Sequence, residues 1–237
     1  MRFFCDLHIH SALSPCGDMD MTPNNIVGMS ALKGLDFIAI TDHNSVGNAR
    51  ALIEVSKNFP VTVIPGMELE TAEEAHFVCL FKTIEDAENF YSWSSKFFSG
   101  IKNREDIFGQ QAFMDENDEI VGFEEQMLVS ALTCSIYDAV PEVKKCGGII
   151  IPAHVDKSSY SIISNLGMIP DDLGFKTVEI SKNTDVEHVT QKFPYLKEKR
   201  IITSSDSHYL GDIYEKEGAV DLEEKSIDAL FEFLKGE

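Results

Sequence analysis

The sequence predicts an α/β barrel built on a largely parallel sheet, and three observations carry that reading. Short apolar runs alternate with helix-like segments along most of the chain. The runs are rich in Ile, Val, Phe and Thr, the composition of strands covered on both faces. Polar side chains gather where the runs end, as they do at the mouth of a barrel of parallel strands. A length of 237 residues suits one such domain.

The strand candidates are "RFFCDLHI", "DFIAIT", "VTVIP", "HFVCLF", "GIIIPA", "KTVEIS" and "RIITSS". Thr22-Pro23 marks the first helix, a capping residue followed by proline in the first turn, and Gly34 closes it. A second helix covers roughly 47–57 and a third roughly 84–98. The last starts at Ser226 and places Ile227, Leu230, Phe231 and Leu234 on one face. The rhythm breaks at 100–146, where no buried strand is expected. There "AFMDENDEIVG" reads as an exposed hairpin and "EEQMLVSALTCSIYDAV" as a helix. The expected organisation is a single domain over 1–237, with 100–146 as an insertion or cap.

Forty acidic residues against 20 Lys and Arg give a formal charge of −20. That balance argues against broad binding to a phosphate backbone, so extended nucleic acid is not an expected partner. A small phosphorylated substrate stays open if bound cations supply local positive charge. The five cysteines form no CxxC pair and read as free thiols. No signal peptide and no membrane-length apolar stretch is visible, so a soluble cytoplasmic protein without membrane contact is expected.

The chemistry lies at the strand ends. His8 and His10 are two apart, so on a strand they point the same way. Two imidazoles aimed into one site repel when both are charged and are comfortable when neutral around a cation. "DFIAITDHN" ends in Asp42, His43 and Asn44. "VTVIPGMELE" delivers Glu68 just past its end, "GIIIPAH" delivers His154, and "RIITSSDSH" delivers Asp206 and His208. His76 stands at the start of "HFVCLF", so that strand either runs the other way or begins near the site. Taken singly, each motif also reads as a satisfied core histidine, a helix cap or a turn. Five strand ends carrying His, Asp or Glu point to a metal centre. Asp6 and Asp42 are placed to accept from imidazole N–H groups, Asp42 alternatively as a helix cap. Lys157 and Lys182 follow strand ends and are the cations best placed to clasp a substrate's outer charge; a solvated role competes for each. His188 reads as a surface residue, Cys5 and Cys79 as packing.

"DLHIHS", "TDHN", "PGMELE", "PAH" and "SSDSH", in this order, resemble the PHP (polymerase and histidinol phosphatase) superfamily over about 1–80 and 147–212. The resemblance implies a distorted (β/α)7 barrel with an inserted helix/hairpin segment and two or three divalent ions, zinc, manganese or iron. It implies that His8, His10 and Asp206 hold one ion, with Glu68 bridging to a second completed by His76 and His154. His43 and His208 would serve a third. Relatives place a His or Asp five or six residues after the HxH pair, where Pro15 and Cys16 stand in this chain. Asp18 is the expected substitute, ahead of Asp20 and Cys16. The implied activity is metal-dependent hydrolysis of a small phosphate monoester, a nucleotide or a histidinol-phosphate-like compound. Such ions would acidify water and neutralise phosphoryl oxygens. Glu68 would set the ion spacing, and His43 or His208 would supply the leaving-group proton. An exonuclease or oligonucleotide phosphatase is the alternative, and a non-catalytic metal-binding module a third.

Overall fold

A computed structural model describes residues 1–236. In chain order the elements are β1 (Arg2–Ile9), α1 (Pro23–Leu32), β2 (Phe37–Ile40), α2 (Ala49–Ser56), β3 (Thr62–Glu70), β4 (His76–Leu80) and α3 (Ile84–Ser94). After them come α4 (Glu105–Phe108), β5 (Ala112–Met114), β6 (Ile120–Phe123), α5 (Ile136–Lys145), β7 (Ile149–Pro152) and α6 (Ile162–Leu166). The chain finishes with β8 (Thr177–Ser181), α7 (Val186–Lys192), β9 (Arg200–Ser204), β10 (Ala219–Asp221) and α8 (Ile227–Lys235).

Six strands form one curled sheet in the order β10-β1-β2-β3-β4-β7, and β8 and β9 pair separately. The two pieces meet end to end. Val155 N donates to Glu179 O at 2.9 Å on one side, and His10 N donates to Ser207 O at 3.0 Å on the other. The result is a distorted α/β barrel of seven strands, with β10 added beside the lower half of β1. The sheet is mixed rather than parallel. β4 runs antiparallel to both β3 and β7, and β10 antiparallel to β1. The reversed β4 follows β3 through the short turn 71–75, which is how His76 reaches the same end as Glu68.

Alternation explains where the side chains go. Cys5, Leu7, Phe37, Ala39, Ile64, Val78 and Leu80 face the barrel interior with Ile151 and Ile202. Leu230, Phe231 and Leu234 of α8 fill that interior from below. Ile38, Ile40, Val63, Met67, Phe77 and Cys79 face the other way, beneath the surrounding helices. A register shift between Asp6 and Ile9 resets the phase of β1, so His8 and His10 point inward above Leu7. The inside of the barrel is thus apolar below and polar above.

Three further expectations change. Glu68 lies inside β3, not past it, because the strand continues through Pro65-Gly66 and pairs with β4 to Glu70. A Cβ at Gly66 would stand 2.8 Å from Cys79 O, so only glycine allows that close pairing. The 100–146 region does contain a buried strand: Ala112 and Met114 of β5 pack against Ala12, while its partner β6 is exposed. "EEQMLVSALTCSIYDAV" is half loop. Ser135 and Asp138 form a capping box that starts α5 at Ile136. Leu128 and Leu132 before it are buried as loop residues. Gln111 accepts from Leu128 N, and Glu70 O from Leu132 N.

Candidate metal centre

Glu68 is the hub. It is 1% exposed, and five imidazoles surround it. His8 Nε2, His154 Nε2 and His76 Nδ1 lie 3.2, 3.0 and 2.8 Å from its Oε1. His43 Nδ1 and His10 Nε2 lie 2.9 and 3.4 Å from its Oε2. Asp206 Oδ1 is 3.3 Å from His10 Nε2 and 3.6 Å from His8 Nε2. His208 stacks on His10 with ring centroids 4.1 Å apart. Six of the seven histidines therefore share one pocket at the barrel mouth. His188 is exposed on α7.

The backbone aims these side chains with unusual conformations. Asn44, His154, Tyr160 and Asp206 all have positive φ, at 47°, 30°, 54° and 53°. Non-glycine residues take up this left-handed region at a cost, and such strain gathers where a side chain must be turned toward a site.

The donor set fits divalent cations. His8 Nε2, His10 Nε2, His43 Nδ1 and Glu68 Oε2 are buried and lack a hydrogen-bond partner. Three groups with ligand atoms within 4.8 Å of one another result: His8, His10, Glu68 and Asp206; His43, Glu68 and His76; and His10, His43 and His208. Buried unpaired nitrogen and carboxylate atoms are costly, and a cation is what satisfies them together.

Charge follows the same geometry. Burial lowers the His8 pKa, but Glu179, Glu68 and Asp206 outweigh it and raise it well above 6.5. Burial together with the charges of His208 and His43 holds His10 well below that value, leaving a neutral ring with a free lone pair. Burial raises Glu68, yet His76, His8 and His43 hold its carboxyl well below the ordinary value. Asp206 is depressed in the same way, chiefly by His8 against its own burial.

A second layer sets the rings. His8 Nδ1 is 3.0 Å from Glu179 Oε1. His10 Nδ1 is 2.9 Å from Ser14 Oγ, whose hydroxyl donates to Asp42 Oδ1 at 2.7 Å. Asp42 thus reaches His10 through Ser14 and ties down Ser11 as well; Asn48, not Asp42, occupies the N-cap position of α2. Asp6 touches no imidazole and accepts from Ser205 N and Tyr214 N. Sequence reasoning missed Glu179 and Ser14. The only trace of Glu179 is one carboxylate at the centre of "KTVEIS".

Asp18 stands outside the three groups. Its Oδ1 accepts from Asp20 N, and its N donates to His208 O. Cys16 reaches solvent, and its thiol meets the imidazoles of His208 and His43. Desolvation raises its pKa, but those two contacts bring it down to about 6. Lys157 Nζ lies 2.5 Å from Asp206 Oδ2 on the rim, whereas Lys182 Nζ donates to Asp212 O. A cavity of about 200 Å³ opens over His43, Glu68, His76 and His154. A neighbouring cavity of about 300 Å³ shares His154, Lys157 and Asp206 with it. Among the described residues no helix is long and apolar enough to cross a membrane.

The profile of the PHP domain family matches residues 6–155. Uncharacterized protein MJ1587 of Methanocaldococcus jannaschii is 36% identical over 76 residues, 29% of this chain and 44% of that protein. The lesion-specific endonuclease PfuEndoQ of Pyrococcus furiosus superposes over the whole chain with a TM-score of 0.73 at 18% identity, covering 56% of that structure. Endonuclease Q bound to a 27-mer duplex with an abasic lesion gives 0.74 at 16%, covering 100% of this chain and 57% of the other. A Bifidobacterium adolescentis protein assigned to the metal-dependent phosphoesterases gives 0.65 at 16%, covering 97% and 95%. At these identities the likeness establishes a shared fold, and the chain spans about half the length of the endonuclease Q structures. The likeness also corrects the expectation that set extended nucleic acid aside. Endonuclease Q, whose structure holds a DNA duplex, shares its fold with this chain over 57% of its own length. Net charge averages over the whole surface, whereas the potential at a phosphate is set by groups and ions beside it.

Proposed function

The chain belongs to the PHP domain family, and from that premise we propose that it is a phosphoester hydrolase whose His/Glu/Asp pocket holds two or three divalent ions and cleaves phosphoesters in nucleic acid. Zinc, manganese and iron all suit a histidine-rich donor set with carboxylates. The observation that carries the reading is Glu68, whose two oxygens face different imidazoles: His8, His76 and His154 on one side, His10 and His43 on the other. A carboxylate so placed suits a bridge between neighbouring ions.

His8, His10 and Asp206 are assigned to the first ion, and Glu68, His76 and His154 to the second. His43 and His208 are assigned to the third, with Cys16, which interacts with both, in the place expected of Asp18. When bound, the ions would supply positive charge for the phosphoryl oxygens and lower the pKa of water. The protein's own part is orientation. Glu179 and Ser14 hold the outer nitrogens of His8 and His10, so the inner nitrogens face the pocket. Lys157 brings an ammonium to the rim, where a phosphoryl group enters. His43 and His208 carry raised pKa values despite burial, through Glu68 and Cys16 for the first and Cys16 and Asp206 for the second. Either is suited to hold a proton for the leaving oxygen when the third site is open.

The fold shared with endonuclease Q supports a nucleic-acid strand as substrate. A small phosphate monoester, a nucleotide or a histidinol-phosphate-like compound, is the second reading. The size of the cavity over the centre, about 200 Å³, favours it. Protein stripped of metal and reloaded separately with Mn²⁺, Zn²⁺ and Fe²⁺ is assayed on p-nitrophenyl phosphate, nucleoside monophosphates and histidinol phosphate. Labelled oligonucleotides, with and without an abasic site, complete the panel. Turnover is expected to return with metal. Glu68→Gln is expected to lose bound metal and to lower kcat/KM by more than about a hundredfold. Loaded protein that neither releases phosphate nor cuts any strand sinks the proposal.

A further inference from the structure

The cavity of about 300 Å³ beside the centre is walled by β8 and β9 and has no part in the ligand assignments above beyond its shared rim. We infer that it is the leaving-group subsite and takes the hydroxyl-bearing sugar of a nucleoside; this inference rests on the phosphoesterase reading.

Two buried atoms carry it. Glu179 is 2% exposed; its Oε1 accepts from His8 Nδ1 and from His154 N, while its Oε2 has no partner. Ser204 is 2% exposed, and its Oγ is also unpaired. Both residues line the cavity from adjacent, parallel strands, with Ser181 opposite Ser204 in the ladder. Buried polar atoms in native structures are almost always satisfied, so two neighbouring exceptions facing one cavity mark a place where a ligand supplies the partners.

The chemistry of the pair narrows the ligand. A carboxylate oxygen accepts only, so the ligand group that meets Glu179 is a donor. An anionic group would be repelled there. A sugar hydroxyl fits, as in dinucleotide sites where an acidic side chain accepts from the ribose. Ser204 can donate to or accept from the next hydroxyl. Of the cations on its rim, Lys182 is engaged by Asp212 O, and Lys157 is shared with the 200 Å³ cavity. The phosphoryl group therefore belongs in the 200 Å³ cavity, the sugar in the 300 Å³ one, and the ester bond at their common wall of His154, Lys157 and Asp206. Hydrolysis adds water oxygen to phosphorus and breaks the bond from phosphorus to the sugar oxygen. That oxygen takes up a proton, leaving the free alcohol on one side and, on the other, inorganic phosphate from a monoester or a phosphate-ended fragment from a strand.

The test uses the unaltered, metal-loaded protein first. kcat/KM is measured for a ribonucleoside 5′-monophosphate and its 2′,3′-dideoxy analogue, with p-nitrophenyl phosphate as a substrate lacking a sugar. Loss of the hydroxyls is expected to cost about tenfold or more. Ser204→Val should lower the ratio of nucleotide to p-nitrophenyl phosphate turnover by about tenfold. Calorimetric titration with the free nucleoside should show binding that Ser204→Val weakens. Equal kcat/KM for the two nucleotides, or a Ser204→Val loss shared equally by p-nitrophenyl phosphate, overturns the inference. Absent turnover of every phosphoester defeats the phosphoesterase reading instead, and nucleoside binding then decides the subsite alone.

Discussion

At the scale of single residues, the pocket divides its histidines by charge. Burial and positive neighbours lower the pKa of His10, while the carboxylates facing His8, and Glu68 with Cys16 beside His43, outweigh burial and raise theirs. Cys16 sits at the edge of this group with a pKa brought down to about 6 by His208 and His43. Iodoacetamide should therefore label Cys16 in metal-free protein along a pH curve with its midpoint near 6, because the thiolate is the reacting form. Burial pushes the Cys5 thiol up to about 12, and Cys79 is pushed well above its ordinary value, so neither should react in the folded protein. Peptide mapping of labelled sites checks this, and a Cys16 midpoint near 9 would contradict it. The inward histidines were legible in the sequence because strand alternation is a local rule. Glu179 was not, because its meaning depends on His8, 171 positions away. The contact of Cys16 with His208 was hidden for the same reason.

At the scale of elements, the strands and most helices were legible from apolar runs and caps: Thr22, Thr83 and Ser226 each accept from the backbone three residues on. The failures share one cause, which is tertiary pairing overriding local pattern. Apolar residues at 127–132 have helical spacing but are drawn into a loop by Gln111, Asn44 and Ile101, which take up their backbone groups. The β5–β6 hairpin is fastened to the mouth by Asn48. Its amide donates to Ser11 Oγ and Ala112 O, both at 3.0 Å, and its Oδ1 accepts from Met114 N at 2.9 Å. Asn48→Ala leaves several buried groups unpaired and should cost about 1–3 kcal/mol. Chemical denaturation measures that loss, and hydrogen exchange at the Met114 amide should accelerate. An unchanged exchange rate would show the hairpin held by other contacts.

For the whole molecule, the pocket links stability to pH. Glu68 and Asp206 have depressed pKa values, so their contribution is present above their ordinary values of 4.5 and 3.8 and is lost as pH falls through the folded ones. His8, His43 and His76 have raised values, so theirs is complete below 6.5 and is lost as pH rises through the folded ones. His10, held neutral, offsets part of this below 6.5. Metal-free protein should thus be most stable between about pH 4.5 and 6.5. Metal binding needs neutral imidazoles, so added Mn²⁺ should raise Tm more at pH 8 than at pH 6. Calorimetric scans across pH, with chelator and with metal, test both signs. A metal-free Tm that climbs steadily to pH 8.5 would refute the first.

The closure of the barrel floor bears on how the chain reaches its native state. Arg2–Phe4 pairs with Ala219–Asp221, the amino group of Met1 bonds Leu222 O, and α8 supplies Leu230 and Phe231 beneath Leu7. Contacts between segments so remote along the polypeptide must close a very large loop before they yield any energy, which makes folding slow. A nascent or partly folded species holding only β1 to β4 would leave Leu7, Phe37, Ile64 and Val78 bare to water. Such a sticky intermediate is where self-association would begin, and where a chaperone would be most useful.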